Sequence, residues 1–218
     1  RRFGEKTMAE VDGVCGYSEV ASRFCELSES IDFREIHECI IHLLPTPGAM
    51  FLDVGAGSGR DAADLAAMGH NVVAVEPLGR FLADARERHP SSRIRWVSDS
   101  LPSLRELPPE PCQFDFVLCH AVWQHLSKAD RTEAMARVAM LLKPNCVFAL
   151  GLRHGSPGVG THCFPAGVAE TIALAATANL AVELRLDDQP SALPNKTDVT
   201  WTRLAFRKRT AVVPRTAV

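Results

Sequence analysis

The sequence predicts an α/β fold: a doubly wound, mostly parallel sheet of seven strands, with helices on both faces and a reversed last strand. Three observations predict it. Short apolar runs of strand length alternate with helical runs, the pattern of a mostly parallel sheet covered on both faces. The first apolar run passes directly into a loop of alternating glycines and then a helix, in Phe51-Leu52-Asp53-Val54-Gly55-Ala56-Gly57-Ser58-Gly59-Arg60. The last two runs are separated only by residues 187–199, DDQPSALPNKTDV, polar and interrupted by two prolines. Such a loop suits an antiparallel return, whereas a parallel partner usually needs a helical crossover.

The elements follow in order. Residues 17–44 read as two helices, with Pro45 and Pro47 marking the exit. A strand over 50–54 leads through the glycine loop into a helix over 59–68, which ends at Gly69, a suitable C′ glycine. A strand over 71–75 precedes a helix over 80–89 stopped by Pro90, and strands follow over 94–97 and 114–120. The helix over 128–142 places Ala134, Met135, Val138, Leu141 and Leu142 on one stripe and ends before Pro144. A strand over 146–151, a helix over 165–179 and strands over 181–186 and 200–207 complete the chain.

Composition narrows the function classes. The chain has 218 residues, 46% hydrophobic and 23% charged, with a net charge of -2, ordinary values for a globular protein. One domain is expected over 13–210, between a flexible N-terminal tail (1–12) and a C-terminal tail (211–218). No apolar run reaches the ~18–20 residues of a membrane span, and no secretory signal opens the chain. The near-neutral charge argues against a nucleic-acid partner held by a basic face; Arg207-Lys208-Arg209 reads as a solvated edge. Seven cysteines without a CxxC pair point to reduced thiols, a cytoplasmic protein and no structural zinc or other metal.

The glycine loop carries the chemistry. A dinucleotide loop wants G-x-G-x-x-G so that a pyrophosphate rests on the helix N-terminus. Here the third glycine comes one residue early and Arg60 stands in its place. Asp53, just ahead of the loop, would repel a phosphate but can hold an ammonium, so a zwitterionic ligand fits better. Glu76 ends the next strand, where an acid can accept from both ribose hydroxyls. The third strand delivers Asp99 and Ser100 to the same edge, where a carboxylate can accept from an adenine amino group.

With the runs FLDVGAGSGRDAADLAAMGHNVVAVEP, Asp99-Ser100, FDFVLCHAVWQHL and LLKPNCVFAL, the chain resembles the class I S-adenosyl-L-methionine-dependent methyltransferases, a Rossmann-like family. The resemblance covers about residues 49–150, and the reversed final strand extends it to the C-terminus. It implies that Gly55, Ala56, Gly57 and Gly59 pack on the methionine portion of S-adenosyl-L-methionine. It also implies that Glu76 holds the ribose and that Asp99 and Ser100 face the adenine. Pro77, Leu101 and His120 complete the expected cofactor set with Asp53. The sequence departs from the family at Asn145, where glycine commonly follows the K-P turn. Tyr17, with Ala21 and Phe24, resembles the Y-x-x-x-A-x-x-F/Y lid helix of many relatives, so 17–44 is expected to close over the cleft.

Methyl transfer is an in-line displacement that demands alignment and sometimes a base. His120, ending the fourth strand, and His154, after the fifth, are the candidate catalytic groups. Arg153 and His154 in GLRHGSPG read as a substrate clamp, with Tyr17 and Trp123 as further substrate residues. Trp123 also suits the core, His125 reads as structural, and His162 belongs to the same loop as His154. The expected reaction is methyl transfer to an oxygen or nitrogen of a small-molecule acceptor, releasing S-adenosyl-L-homocysteine, by a monomer or homodimer. Alternatives are an RNA or protein methyltransferase, for which no NPPY-type motif or appended domain is present, and a non-catalytic S-adenosyl-L-methionine-binding module. A short-chain dehydrogenase would need a tyrosine after the fourth strand, and the single tyrosine precedes the first.

Overall fold

In the computed structural model the described residues are 16–155, 163–193 and 196–210. The expected tails and His162 lie outside them. The seven strands are β1 (Met50–Val54), β2 (Asn71–Val75), β3 (Ile94–Val97), β4 (Phe114–Cys119), β5 (Leu142–His154), β6 (Leu180–Pro190) and β7 (Thr200–Lys208). The helices are α1 (Tyr17–Glu29), α2 (Phe33–His37), α3 (Arg60–Ala67), α4 (Gly79–Arg88), α5 (Lys128–Leu141) and α6 (Val168–Thr177). A 3-10 segment, Glu38–Leu43, continues α2.

The strands form one sheet in the order β3-β2-β1-β4-β5-β7-β6. β1 to β5 are parallel, and β7 runs antiparallel to both β5 and β6. The sheet order reverses between β1 and β4, which opens a crevice at their carboxyl ends. Alternate residues on each strand feed opposite layers. Leu52, Val73, Val117, Phe148 and Phe206 pack with α5 and α6, while Phe51, Val72, Phe116, Val147 and Ala205 pack with α3, Phe33 and Ile40. A smaller cluster of Ala21, Cys25 and Phe81 docks α1 on α4.

Three strand boundaries differ from expectation by more than one residue. The first is that β5 runs on to His154 because Arg153 and His154 pair with Trp201 and Thr200, which places both in the strand and not in the loop after it. β6 continues through Pro190, taking in the first four residues of the predicted loop. It is the edge strand, where polar side chains and a terminal proline cost no ladder bond. β5 begins at Leu142, before the K-P turn, because Leu142 already pairs with Phe114 and the register shifts before Phe116. Asn145 takes φ 61° there, the left-handed conformation that explains how asparagine replaces glycine at this turn. Among the described residues no helix is long and apolar enough to cross a membrane.

Candidate functional site

β1 ends in Asp53-Val54 and the chain turns through the glycine loop, whose Gly55 and Ala56 amides both donate to the Val75 carbonyl at 2.8 and 2.9 Å. Gly55 has φ 72°, and a Cβ there would strike the side chain of Val122. Gly59 has φ 89°, and its Cβ would come 2.6 Å from the Trp96 ring. Glycine is therefore required at both positions by conformation and by close approach. The Gly57 amide donates to Glu76 Oε2 at 2.9 Å, and the Leu78 amide donates to Oε1 at 2.9 Å.

The acids around this loop are buried and perturbed. Burial pushes Glu76 up to about 7, against the two backbone donors, Leu78 and Gly57, that favour its charge. Burial also holds Asp53 well above the usual carboxylate range, with the Asp61 charge adding to it and Arg60 opposing it. Its Oδ2 has no hydrogen-bond partner among the described residues. A buried acceptor left open in this way is costly unless a donor arrives.

A cavity of about 140 Å³ lies against these groups. It is lined by Asp53, Gly55, Ala56, Gly57, Glu76, Pro77, Ser100, Leu101, His120 and Tyr17 of the expected set. Two expected cofactor residues stand behind this wall. Gly59 serves the packing of α3 on Trp96, and Asp99 spends its carboxylate on the Ser100 and Glu106 amides, both at 2.7 Å. Asp99 thus fixes the turn that presents Ser100 and Leu101.

Above the loop, α1 and α2 cover the crevice. Tyr17 packs edge-on against Phe24 (5.4 Å between centroids) and Phe24 stacks on Phe81 (5.3 Å). The Gln124 amide lies 3.3 Å from His125 Nε2; since an amide nitrogen only donates, this nitrogen accepts and the Tyr17 hydroxyl donates to it at 3.2 Å. Burial raises the Tyr17 hydroxyl to about 12, so it stays a donor. Beneath α1, Arg60 donates to the Ser28 carbonyl at 2.9 Å and to Asp61 Oδ1 at 2.8 Å, while His37 meets Asp61 Oδ2 at 2.9 Å. Burial opposes the charge of Asp61, yet His37 and Arg60 hold its carboxyl far below the usual range.

His120 joins this cavity to a second one of about 240 Å³. Arg203 Nη1 lies 3.0 Å from His120 Nδ1, and the His120 ring stacks on Trp201 at 5.0 Å. A guanidinium only donates, so Nδ1 accepts and the neutral ring carries its proton on Nε2. Burial first, then the Arg203 charge, pushes His120 well below the usual histidine range. His120 is thereby corrected from a candidate base to a hydrogen-bond donor: one nitrogen is filled and the other protonated.

The remaining expected residues separate. Arg153 lines the second cavity together with Tyr17. His154 lies in a neighbouring hollow with Cys163 and Phe164, its Nε2 2.9 Å from Thr202 Oγ1. Trp123, expected as substrate wall or core, is fully buried against Phe148 and reaches neither cavity, which corrects its substrate assignment. Sequence reading missed Arg60, Asp61, His37, Trp201 and Arg203. The Arg60-Asp61 pair directly after the glycine loop was a readable signal. Trp201 and Arg203 were not, because only the antiparallel seating of β7 beside β5 brings them to His120.

Comparison with known proteins agrees with this architecture. A family model described as a methyltransferase domain matches residues 51–145. A ubiquinone biosynthesis O-methyltransferase of Albidiferax ferrireducens is 28% identical over 136 residues, 59% of this chain and 52% of that protein. An uncharacterized methyltransferase of Mycobacterium tuberculosis is 32% identical over 107 residues, 49% of this chain and 41% of that protein. The chain thus spans about half the length of these curated relatives. Among solved structures, a TehB-like SAM-dependent methyltransferase of Corynebacterium glutamicum superposes with TM-score 0.66 at 21% identity, covering 88% of this chain and 97% of that one. The cyclase SpnF superposes with TM-score 0.70 at 14% identity, covering 94% and 98%. At these identities the structures speak for the fold alone, while the family model and the curated relatives identify residues 51–145 as similar to a methyltransferase domain.

Proposed function

We propose that the chain binds S-adenosyl-L-methionine in the first cavity and catalyses methyl transfer to an oxygen or nitrogen of a small-molecule acceptor in the second, leaving S-adenosyl-L-homocysteine. The observation that carries the reading is the unpartnered, buried Asp53 Oδ2 beside the glycine loop. It is a buried acceptor at the cavity wall without a donor among the described residues, which a ligand ammonium would supply. The rest of the donor set fits the same molecule. Glu76 offers its carboxylate to a ribose diol, and Ser100 and Leu101 present the β3 turn to an adenine. The bound sulfonium would supply an electrophilic methyl group.

The chain's own residues then bind, orient and exclude water. Tyr17 and Phe24 on α1 line both cavities, so the lid helix walls the passage between them. Exclusion of water there strengthens every polar contact inside. His120 lies at the junction with its proton on Nε2 and takes no proton, so the acceptor attacks as an already ionised oxygen or as a neutral amine, and the amine's proton passes to bulk water once the methylated product leaves. Rate enhancement in this reading comes from alignment, for which well-oriented groups supply about 7–11 kcal/mol.

Calorimetric titration with S-adenosyl-L-methionine and S-adenosyl-L-homocysteine, with NAD as control, tests the reading. One-site binding of the first two without NAD binding supports it. Binding without turnover on any acceptor would favour a non-catalytic module, and the fold likeness to a cyclase keeps that assay necessary.

A further inference from the structure

The second cavity has a charge pattern that the methyl-transfer reading does not require. Arg60, Arg153, Lys196 and Arg203 line it, and no aspartate or glutamate does among the described residues. Arg60 is neutralised by Asp61 at 2.7 Å. Arg203 is different. It is half-buried, its Nη1 meets the neutral His120 at 3.0 Å, and its guanidinium carbon lies 5.0 Å from the centre of the Trp201 ring. It forms no ion pair with a carboxylate among the described residues. Burial pulls its proton affinity down, with Cys39 and the Asp61 charge opposing it at longer range, yet a guanidinium stays charged at every accessible pH. A guanidinium that faces an enclosed cavity with no carboxylate in contact offers its free N–H groups to an anion that arrives with a ligand.

Much of the remaining wall is apolar, with Leu27, Ile31, Ile36 and Val199 beside the polar Ser28, Gln124 and Ser191. We propose that the acceptor carries an oxyanion, a carboxylate or a phosphoryl group, on a largely apolar body, and that Arg203 is the specificity-determining residue that pairs with it. The planar fork of Arg203 suits either anion, because both present two oxygens to parallel N–H donors. This rests on the cofactor reading of the first cavity, so the test separates the two.

The experiment uses the full chain saturated with S-adenosyl-L-homocysteine. Three probes are titrated calorimetrically: 3-phenylpropanoate, benzyl phosphate and the neutral 3-phenylpropanamide. Failure of S-adenosyl-L-homocysteine itself to bind would remove the cofactor reading. If it binds, at least one of the two anions should bind at least about tenfold more tightly than the amide, and which one wins identifies the anion. Arg203→Met should abolish the preference while keeping S-adenosyl-L-homocysteine affinity. Equal binding of amide and anions, no binding of any probe, or a preference that survives in a folded Arg203→Met protein would each overturn the proposal. The wild-type comparison stands alone should the variant fail to fold.

Discussion

The Gly57 amide donates to Glu76 Oε2 at 2.9 Å, so the glycine loop and the acid that ends β2 are one unit. Burial lifts this carboxyl from 4.5 to about 7. A ribose diol donates to the ionised form, so affinity for S-adenosyl-L-homocysteine should rise as pH increases through about 7 and level off above it. Without ligand the sign reverses for stability. The folded chain binds a proton that the unfolded chain has lost between 4.5 and about 7. Stability is therefore highest below that window and falls across it, by on the order of 3 kcal/mol. Glu76→Gln should flatten both profiles and weaken binding by about 1.5–3 kcal/mol. Calorimetry and urea unfolding across pH measure both; an unchanged pH profile in the variant would sink the assignment.

Asp53 gives a sharper test of ligand orientation. Its open Oδ2 faces the methionine end in the proposed pose, so Asp53→Asn should weaken S-adenosyl-L-homocysteine binding by about 10–100-fold. Adenosine, which lacks the ammonium, should bind the variant as it binds the parent. The ligand-free variant should be no less stable, since burial and the Asp61 charge already disfavour the Asp53 carboxylate. Equal loss for both ligands would place Asp53 against the wrong end.

Much of this was legible because it was local. The spans of β1, β2 and β3 follow from apolar runs cut by turn residues, and Asp53, Glu76 and Ser100 follow from their places at strand ends. The exceptions have two causes. Trp123, which follows a strand end, suits either a substrate wall or the core, and the short 3-10 turn Trp123–His125 swings it into the core. Arg203 sits in the middle of β7, and nothing in TWTRLAFRK marks it as functional. Its meaning depends on the pairing Gly151↔Arg203, where the absence of a Cβ on Gly151 leaves room for the guanidinium and the His120 ring. Contacts made by non-local pairing leave no periodic trace in either segment.

Asp61 links the lid to the glycine-loop helix. It accepts from Arg60, which also reaches the Ser28 carbonyl on α1, and it meets His37 on α2. Asp61→Asn leaves two buried partners short of their charge, a change worth about 3–5 kcal/mol when one member of a buried pair is removed. The loss should be felt first in α1 and α2. Hydrogen exchange should accelerate over 17–43 well before it does in β1 or β4. Uniform acceleration across the sheet would mean that the network holds the core and not the lid.

His120 and His154 can be told apart by paired substitutions. His120 borders both cavities, and its neutral ring keeps Nδ1 on Arg203. Its pKa lies well below the usual range, so it should contribute no inflection to the pH–rate profile near neutrality. A hydrogen bond donated to the acceptor oxygen weakens as that oxygen gives its electron pair to the methyl carbon, so His120→Ala should raise the acceptor's KM while leaving kcat within a few-fold. His154 lies in the separate hollow, and its partner Thr202 donates onward to Asp187 Oδ1 at 3.2 Å. His154→Ala should leave S-adenosyl-L-homocysteine affinity unchanged and lower kcat by only a few-fold. A collapse of kcat in His154→Ala, with cofactor affinity retained and His120→Ala active, would transfer the chemistry to the carboxyl end of β5.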